Sequence, residues 1–332
     1  MGTLLVTRRM SPELRARVEA SVRGRRVAPG ARLRARSISA LRLLAFLSIS
    51  GAIAVFAVAK QRSDERFELA RASLLSRVRR EAAALSARDR AIIARVTPWL
   101  ERAAGSDFRD SFAPELAESG ALAVVLARPT VYLRAPLAGV AGPASLAEAA
   151  AQSYRDAFVL CLFDPPATRS EKSLLSRARS AHAGGARARA ASEVARLADA
   201  MAGLPFLSRE WESSLLAAGN ARALDVLERR FERAPIAEAK RAAKAELLLF
   251  ALDEAGDANA PIELDGERPH YIRAGLVDLE HGRSLFTLRR HVDPGWLSPA
   301  ARAEYASGVD GCSLALEVHA LVKGSAAAGS QK

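Results

Sequence analysis

One uncharged stretch near the N-terminus constrains this chain more than any other feature. Seventeen consecutive residues, from Leu43 to Ala59, carry no formal charge, and most of them are apolar. As a helix rising about 1.5 Å per residue, this run is roughly 26 Å long, and extension back to Ile38 brings it to about 33 Å. The hydrocarbon core of a bilayer is about 30 Å thick. Residues 38–59 are therefore predicted to form a transmembrane helix, with Arg42 close enough to its end to reach the interface.

The distribution of charge predicts the orientation of that helix. The net charge is +12; residues 1–42 hold eleven arginines and two acids, or +9, and 12 − 9 leaves +3 for the rest of the chain. Basic residues on one flank of a spanning helix favour the cytoplasmic side. We expect residues 1–37 to be a basic cytoplasmic tail beside an anionic bilayer surface, and everything after Ala59 to be extracytoplasmic. Charge piled on this flank is explained by the membrane, so nucleic acid is not an expected partner.

A cleaved signal peptide is the alternative to an anchor. Ala57, Val58 and Ala59 before Lys60 have the small-x-small pattern of a cleavage site. The basic leader is much longer than a signal peptide needs, which favours a retained anchor. Both alternatives place the remainder of the chain outside the cytoplasm.

Residues 60–104 are predicted to form a helical stalk. Apolar residues recur there at the spacing of one helical face. They are Leu75, Val78, Ala82, Leu85, Ile92, Val96 and Trp99. The stripe could pack on the chain's own domain or form a homodimer, and Thr97-Pro98 is expected to kink or end the helix near Trp99.

Residues 105–323 are predicted to form an extracytoplasmic α+β domain, a mixed β-sheet with a large helical insertion, followed by a flexible tail at 324–332. The clearest local signal is a β-hairpin of Tyr271–Leu279 and Ser284–Val292 around Gly282. On its second strand apolar and polar residues alternate, so one face should be buried and the other solvated.

Four shorter segments complete the predicted sheet. Ala121–Ala127 and Thr130–Arg134 are β-prone and suggest a hairpin or one bent strand. The continuous apolar run Ala157–Phe163 predicts a central strand buried on both faces. Leu247–Leu252 is a second such run, and periodicity alone leaves it as a strand or the end of a helix.

Specific catalytic motifs are not found in the sequence, and no cofactor or metal is expected. His291 and Asp293 alternate onto one face of a strand, which would suit a metal or a base with its orienting group. Asp164 and Asp253 each follow an apolar run, and strand ends often carry active-site groups. Ordinary turn chemistry explains the same residues.

The two cysteines, Cys161 and Cys312, both fall in the exported part, where an oxidising compartment permits a disulfide. Two unpaired buried thiols are the alternative, because Cys161 lies within an apolar run. The sequence leaves both open.

Two functions are consistent with these patterns. The first is a single-pass, membrane-anchored extracytoplasmic module that binds an envelope protein without catalysis. The second is an anchored extracytoplasmic hydrolase that uses the strand-end carboxylates.

Overall fold

The computed structural model describes residues 11–24, 29–118, 120–153, 157–182, 194–254, 269–300 and 311–322. The chain divides into two compact units, Met1–Ala70 and Arg71–Lys332.

The described part of the first unit is helical, and its apolar segment from Ala45 onward is exposed. Helix α1 spans Pro12–Gly24, and helix α2 begins at Pro29 and runs to Ala83. From Ala45 onward α2 is long and apolar enough to cross a membrane, and none of its apolar window is buried. Phe46 and Phe56 are 69% and 72% exposed.

Residues 29–37, the C-terminal part of the predicted basic tail, belong to helix α2, which Pro29 opens. Proline is favourable at the first helical position, because the N–H that it lacks would have no partner there. The alanines, leucines and arginines that follow are good helix formers.

The second unit contains the C-terminal part of α2 and eleven further helices within the described ranges. They are α3 Ala87–Arg90, α4 Ile92–Ala104, α5 Ala121–Leu126, α6 Pro143–Gln152, α7 Ala157–Phe163, α8 Glu171–His182, α9 Leu197–Gly203, α10 Arg209–Leu216, α11 Ala221–Arg233, α12 Ile236–Ala243 and α13 Gly311–Val322. Single 3₁₀ turns occur at Pro114–Ala117, Leu137–Val140, Leu204–Leu207 and Pro294–Trp296.

The strands of the described ranges form one mixed sheet. They are β1 Ser111–Phe112, β2 Thr130–Pro136, β3 Ala195–Arg196, β4 Leu247–Glu254, β5 His270–Asp278 and β6 Arg283–Val292. Their order across the sheet is β1-β6-β5-β4-β2-β3. Strand β2 is parallel to β3 and β4, and the remaining pairs are antiparallel. The helices between β2 and β4 make the crossover that a parallel pair requires.

Helices cover both faces of this sheet. Alternation along β4 points Leu249 and Ala251 to one face and Phe250 to the other. Helices α7 and α13 pack on the first face, in one core with Leu249 and Ala251. Cys161 of α7 and Cys312 of α13 are joined by a disulfide, and we call this the disulfide face. Helix α4 contacts β4 on the opposite side, which we call the α4 face.

The predicted hairpin is confirmed. Strands β5 and β6 are antiparallel, and Gly282 in the turn has φ +64°, a conformation that suits glycine. Phe286 and Leu288 are buried in the core of the disulfide face. Leu247–Leu252 is a strand, with Phe250 paired to Gly275 of β5 and its whole length buried.

Ala157–Phe163 is a helix, so its prediction as a central strand is wrong. Every residue from Ala157 to Leu162 is buried between the sheet and neighbouring helices. A short segment buried on all sides shows no period, and apolar composition alone then cannot distinguish a helix from a strand.

Ala121–Leu126 is also a helix rather than the predicted strand. Leu122 and Leu126, four residues apart, are buried, whereas Val124 between them is 72% exposed. In a strand all three would share a face. The predicted strand at Thr130–Arg134 is present as β2.

Helix α4 continues through Pro98 to Ala104, so the helix does not end near Trp99. Its buried stripe includes Val96 before the proline and Leu100 after it. An internal proline costs a helix roughly 3 kcal/mol, and continued packing on both sides of Pro98 offsets that cost.

The last turns of α2 belong to the second unit. Leu74 and Val78 are buried there, so the apolar stripe predicted for the stalk packs on the chain's own domain. Exposed and half-buried ion pairs border this contact. They are Arg77–Glu228 at 2.9 Å, Arg79–Glu212 at 2.8 Å and Glu81–Lys240 at 2.5 Å.

Candidate functional site

Asp253, one of the carboxylates that the sequence singled out, lies in a buried charged cluster. Arg134 of β2 donates from Nε to Asp253 Oδ2 at 3.0 Å and from a terminal nitrogen to Oδ1 at 2.6 Å. Nε2 of His270, at the start of β5, lies 3.3 Å from Oδ1. Arg134, Asp253 and His270 are exposed by only 0%, 1% and 5%.

The sheet topology brings these three residues together. Strand β4 lies between β2 and β5, and Asp253 is the register partner of Pro136 on one side and Ile272 on the other. Arg134 and His270 each lie two residues from those partners, so alternation places them on the face that Asp253 occupies.

A hydroxyl completes the backbone bonding around Arg134. Strand β3 pairs with Val131 and Tyr132 and does not reach Arg134. The backbone N–H of Arg134 therefore has no acceptor on β3. Ser153 follows α6, and its hydroxyl accepts a hydrogen bond from that N–H at 2.9 Å. Buried backbone donors need such partners, and Ser153 is itself buried.

The environment of Asp253 keeps its carboxyl ionised. Burial by itself raises the pKa of Asp253, but the charge of Arg134 and hydrogen bonds from His270 and Arg134 bring that pKa below its ordinary value. A carboxylate that is this deeply buried and bonded to an arginine is suited to hold strands together. It has little access to a substrate in solution.

His291 and Asp293, the predicted pair, have separate partners. The His291 ring meets the Tyr271 ring edge-on, with centroids 5.0 Å apart. Asp293 Oδ1 accepts a hydrogen bond from the Gly295 backbone N–H at 2.8 Å and caps the 3₁₀ turn Pro294–Trp296. This is the turn chemistry that the sequence offered as the alternative.

Asp164 follows helix α7 rather than the predicted strand. Its carboxylate pairs with Arg177 of α8 at 2.7 Å. The sheet itself separates two of the other candidates: Asp253 is on the disulfide face, whereas His291 pairs with Tyr271 on the opposite face. The four predicted residues therefore do not form one site.

A second buried carboxylate, Asp278, anchors the hairpin. Arg128 donates to its Oδ2 at 2.8 Å, and the backbone N–H groups of Glu280 and His281 donate to Oδ1 at 2.9 and 3.0 Å. Burial raises the pKa of Asp278, but these bonds and the His281 side chain outweigh burial and lower it well below its ordinary value. From the sequence, Asp278 is predicted only as part of a strand.

A cavity of about 570 Å³ opens on the α4 face and was not anticipated from the sequence. Its lining comes from α4, the segment that follows it, and strands β1, β4, β5 and β6. The lining residues are Trp99, Arg102, Ala103, Asp107, Phe108, Arg109, Ser111, Phe250, Val277, Ser284 and Thr287. These residues come from separate parts of the chain, so no local spacing could have revealed the cavity.

Within the described ranges, no group of three or more histidine, cysteine, aspartate or glutamate side chains is placed to hold a metal ion. No protein-family model, curated protein or solved structure matches the chain.

Proposed function

We propose that this protein is a single-pass, membrane-anchored module whose C-terminal domain lies outside the cytoplasm and binds an envelope protein without catalysis. The exposed apolar segment of α2 carries the proposal. Phe46, Ile53, Val55 and Phe56 are each at least 63% exposed. A contiguous apolar surface of this kind is costly in water and favourable in a bilayer.

Charge and covalent structure support the proposed orientation. The eleven arginines of residues 1–42 flank the N-terminal side of the apolar segment, which favours a cytoplasmic N-terminus. The Cys161–Cys312 disulfide lies on the other side of that segment. Disulfides persist mainly in oxidising compartments, and an extracytoplasmic domain would be in one.

The placement of the candidate carboxylates supports binding over catalysis. Asp253 is buried against Arg134, Asp164 is paired with Arg177, and Asp293 caps its own turn. Each carboxylate already has a structural partner, and the predicted residues lie apart. A hydrolytic site built from strand-end carboxylates would need them to converge on one substrate.

Membrane fractionation tests the anchor. The full-length chain should remain with membranes after a carbonate wash, and the double variant Ile53→Arg/Phe56→Arg should be released. Leu69→Arg is the matched control, because Leu69 is also exposed on α2 but lies beyond the apolar run; it should stay with membranes. Release of the wild-type chain would contradict the anchor.

Protease treatment of spheroplasts tests the orientation, and crosslinking tests the partner. A C-terminal epitope should be digested without lysis; protection until lysis would contradict the extracytoplasmic domain. Crosslinking the full chain in intact cells should repeatedly recover one membrane or extracytoplasmic protein. Recovery of cytoplasmic proteins alone, or of nothing, would contradict the binding function.

A further inference from the structure

The cavity on the α4 face has the size and the wall chemistry of a small-molecule site. Its volume of about 570 Å³ falls within the range of roughly 300–1,000 Å³ that is usual for such sites. Apolar and aromatic side chains form most of the wall. They are Trp99, Ala103, Phe108, Phe250 and Val277.

Packing at Gly275 shapes the floor of the cavity. Any Cβ at position 275 would collide with the ring of Phe250, its register partner on β4. The glycine therefore lets the Phe250 ring lie across β5. This places a flat aromatic surface under the cavity.

The wall formed by the segment after α4 is tied to the sheet at several points. Arg273 donates hydrogen bonds to the carbonyls of Ala103 and Gly105 at 2.8 and 2.6 Å, and the Thr287 hydroxyl donates to the Arg109 carbonyl at 2.6 Å. Because the Thr287 proton is used there, the Ser111 hydroxyl donates to Thr287 at 2.8 Å. These bonds hold the cavity open before any ligand arrives, as preformed sites require.

A buried hydroxyl on the cavity wall is unsatisfied. Among the described residues, Ser284 Oγ has no hydrogen-bond partner although the atom is buried. A register shift at Leu276/Val277 pairs Val277 with Ser284, and both residues line the cavity. Buried hydroxyls normally have a partner, so Ser284 is a polar position in an otherwise largely apolar part of the wall.

Positive charge predominates at the rim. Arg102 and Arg109 line the cavity together with one acid, Asp107. The guanidinium carbon of Arg102 lies 4.3 Å from the centroid of the Trp99 ring, a stacked position that holds the charge beside the cavity. Within the described ranges neither arginine forms an ion pair. Their guanidinium groups therefore offer two cationic donors to an incoming anion.

We propose that this cavity binds a small amphipathic anion. The flat apolar body of the ligand packs on Phe250, Phe108 and Trp99, and its carboxylate accepts hydrogen bonds from Arg102 and Arg109. This proposal adds a ligand site to the domain and does not depend on the membrane anchor or on the protein partner.

Equilibrium dialysis of the full-length chain in phosphatidylcholine nanodiscs tests the proposal, with empty nanodiscs subtracted. The probes are 2-naphthoate, its neutral analogue 2-naphthylmethanol and its cationic analogue 2-naphthylmethylamine. The carboxylate should bind about tenfold more tightly than the neutral compound, the difference expected from a charged hydrogen bond. The amine should bind most weakly. Equal binding of the anion and the amine, or no binding of 2-naphthoate, would overturn the proposal.

Variants then locate the site. Arg102→Gln/Arg109→Gln should reduce 2-naphthoate binding to the level of the neutral analogue, and Ser284→Phe should abolish binding by filling the cavity. Arg222→Gln removes an exposed arginine on α11 and should bind like the wild type. Both arginines of the double variant are exposed, so its melting temperature should be unchanged. A folded double variant with unchanged 2-naphthoate affinity would overturn the site even if Ser284→Phe failed to fold.

Discussion

Arg134 and Asp253 form a two-point ion pair inside the sheet, joining parallel strands β2 and β4 across 119 residues of sequence. Neither side chain is more than 1% exposed. A planar guanidinium that bonds a carboxylate at two points fixes the relative position of the two side chains, in addition to pairing their charges. The pair therefore specifies how β2 and β4 align at this end of the sheet.

Removing one partner of this pair should destabilise the domain strongly. Arg134→Met leaves Asp253 as a buried charge without its main partner, and we expect a loss of about 3–5 kcal/mol in the free energy of unfolding. Urea denaturation at neutral pH measures it. Arg229→Met is the control, because Arg229 forms an exposed ion pair with Asp225 and should lose under about 1 kcal/mol. Similar small losses in both variants would contradict the structural role.

Stability should fall as the solution becomes acidic. The pKa values of Asp253 and Asp278 are lower in the folded chain than the ordinary value of 3.8. The unfolded chain then takes up protons at a higher pH than the folded chain, so the stabilisation present above about pH 4 is lost as the pH falls through and below that value. Denaturation between about pH 6 and pH 2 measures the slope.

A variant assigns part of this acid sensitivity to the hairpin. Asp278→Asn should be less stable than the wild type at neutral pH and should show a shallower fall below about pH 4. A wild-type chain whose stability is constant or increases on acidification would contradict both assignments.

Loss of the disulfide should cost the second unit much of its stability. Cys161 and Cys312 are separated by 151 residues, and closing a loop of this length stabilises by about 5 kcal/mol in the chain-entropy model. Cys161→Ser/Cys312→Ser should unfold at correspondingly lower urea concentration. In denaturant, the wild-type thiols should react with maleimide only after reduction. Two reactive thiols without reduction would show that the bond is not formed in cells.

Replacing the glycine at a helix contact, Gly203, by alanine should destabilise the domain. A Cβ at Gly203 would collide with the Ala239 side chain and lie 2.9 Å from the Pro235 carbonyl oxygen. Gly203→Ala should therefore destabilise by about 1–3 kcal/mol, as overpacked contacts do. Thermal unfolding measures the loss. At Gly219 a Cβ meets nothing within 4 Å, so Gly219→Ala is the matched control, and an equal loss there would contradict the contact.

The sequence alone determined the features that depend on local pattern. From Ala45 to Ala59 the apolar run is helical and exposed, and the hairpin around Gly282 has the predicted alternation, with Leu288 buried and Arg289 exposed. Both patterns depend only on residues that are close together in the sequence. A period of two and a charge-free run of fixed length need no knowledge of distant contacts.

Only the tertiary structure decided the features that depend on contacts between distant residues. Residues Ala157–Leu162 are buried on every side, which removes the periodicity that would have distinguished a helix from a strand. From the sequence, Arg134 is only a polar residue near a strand end. The structure shows that it pairs with Asp253 on the adjacent strand. The cavity is assembled from several elements, with a wall atom, Ser284 Oγ, that has no partner among the described residues. Sheet order and register bring such residues together, and neither can be inferred from local spacing in the sequence.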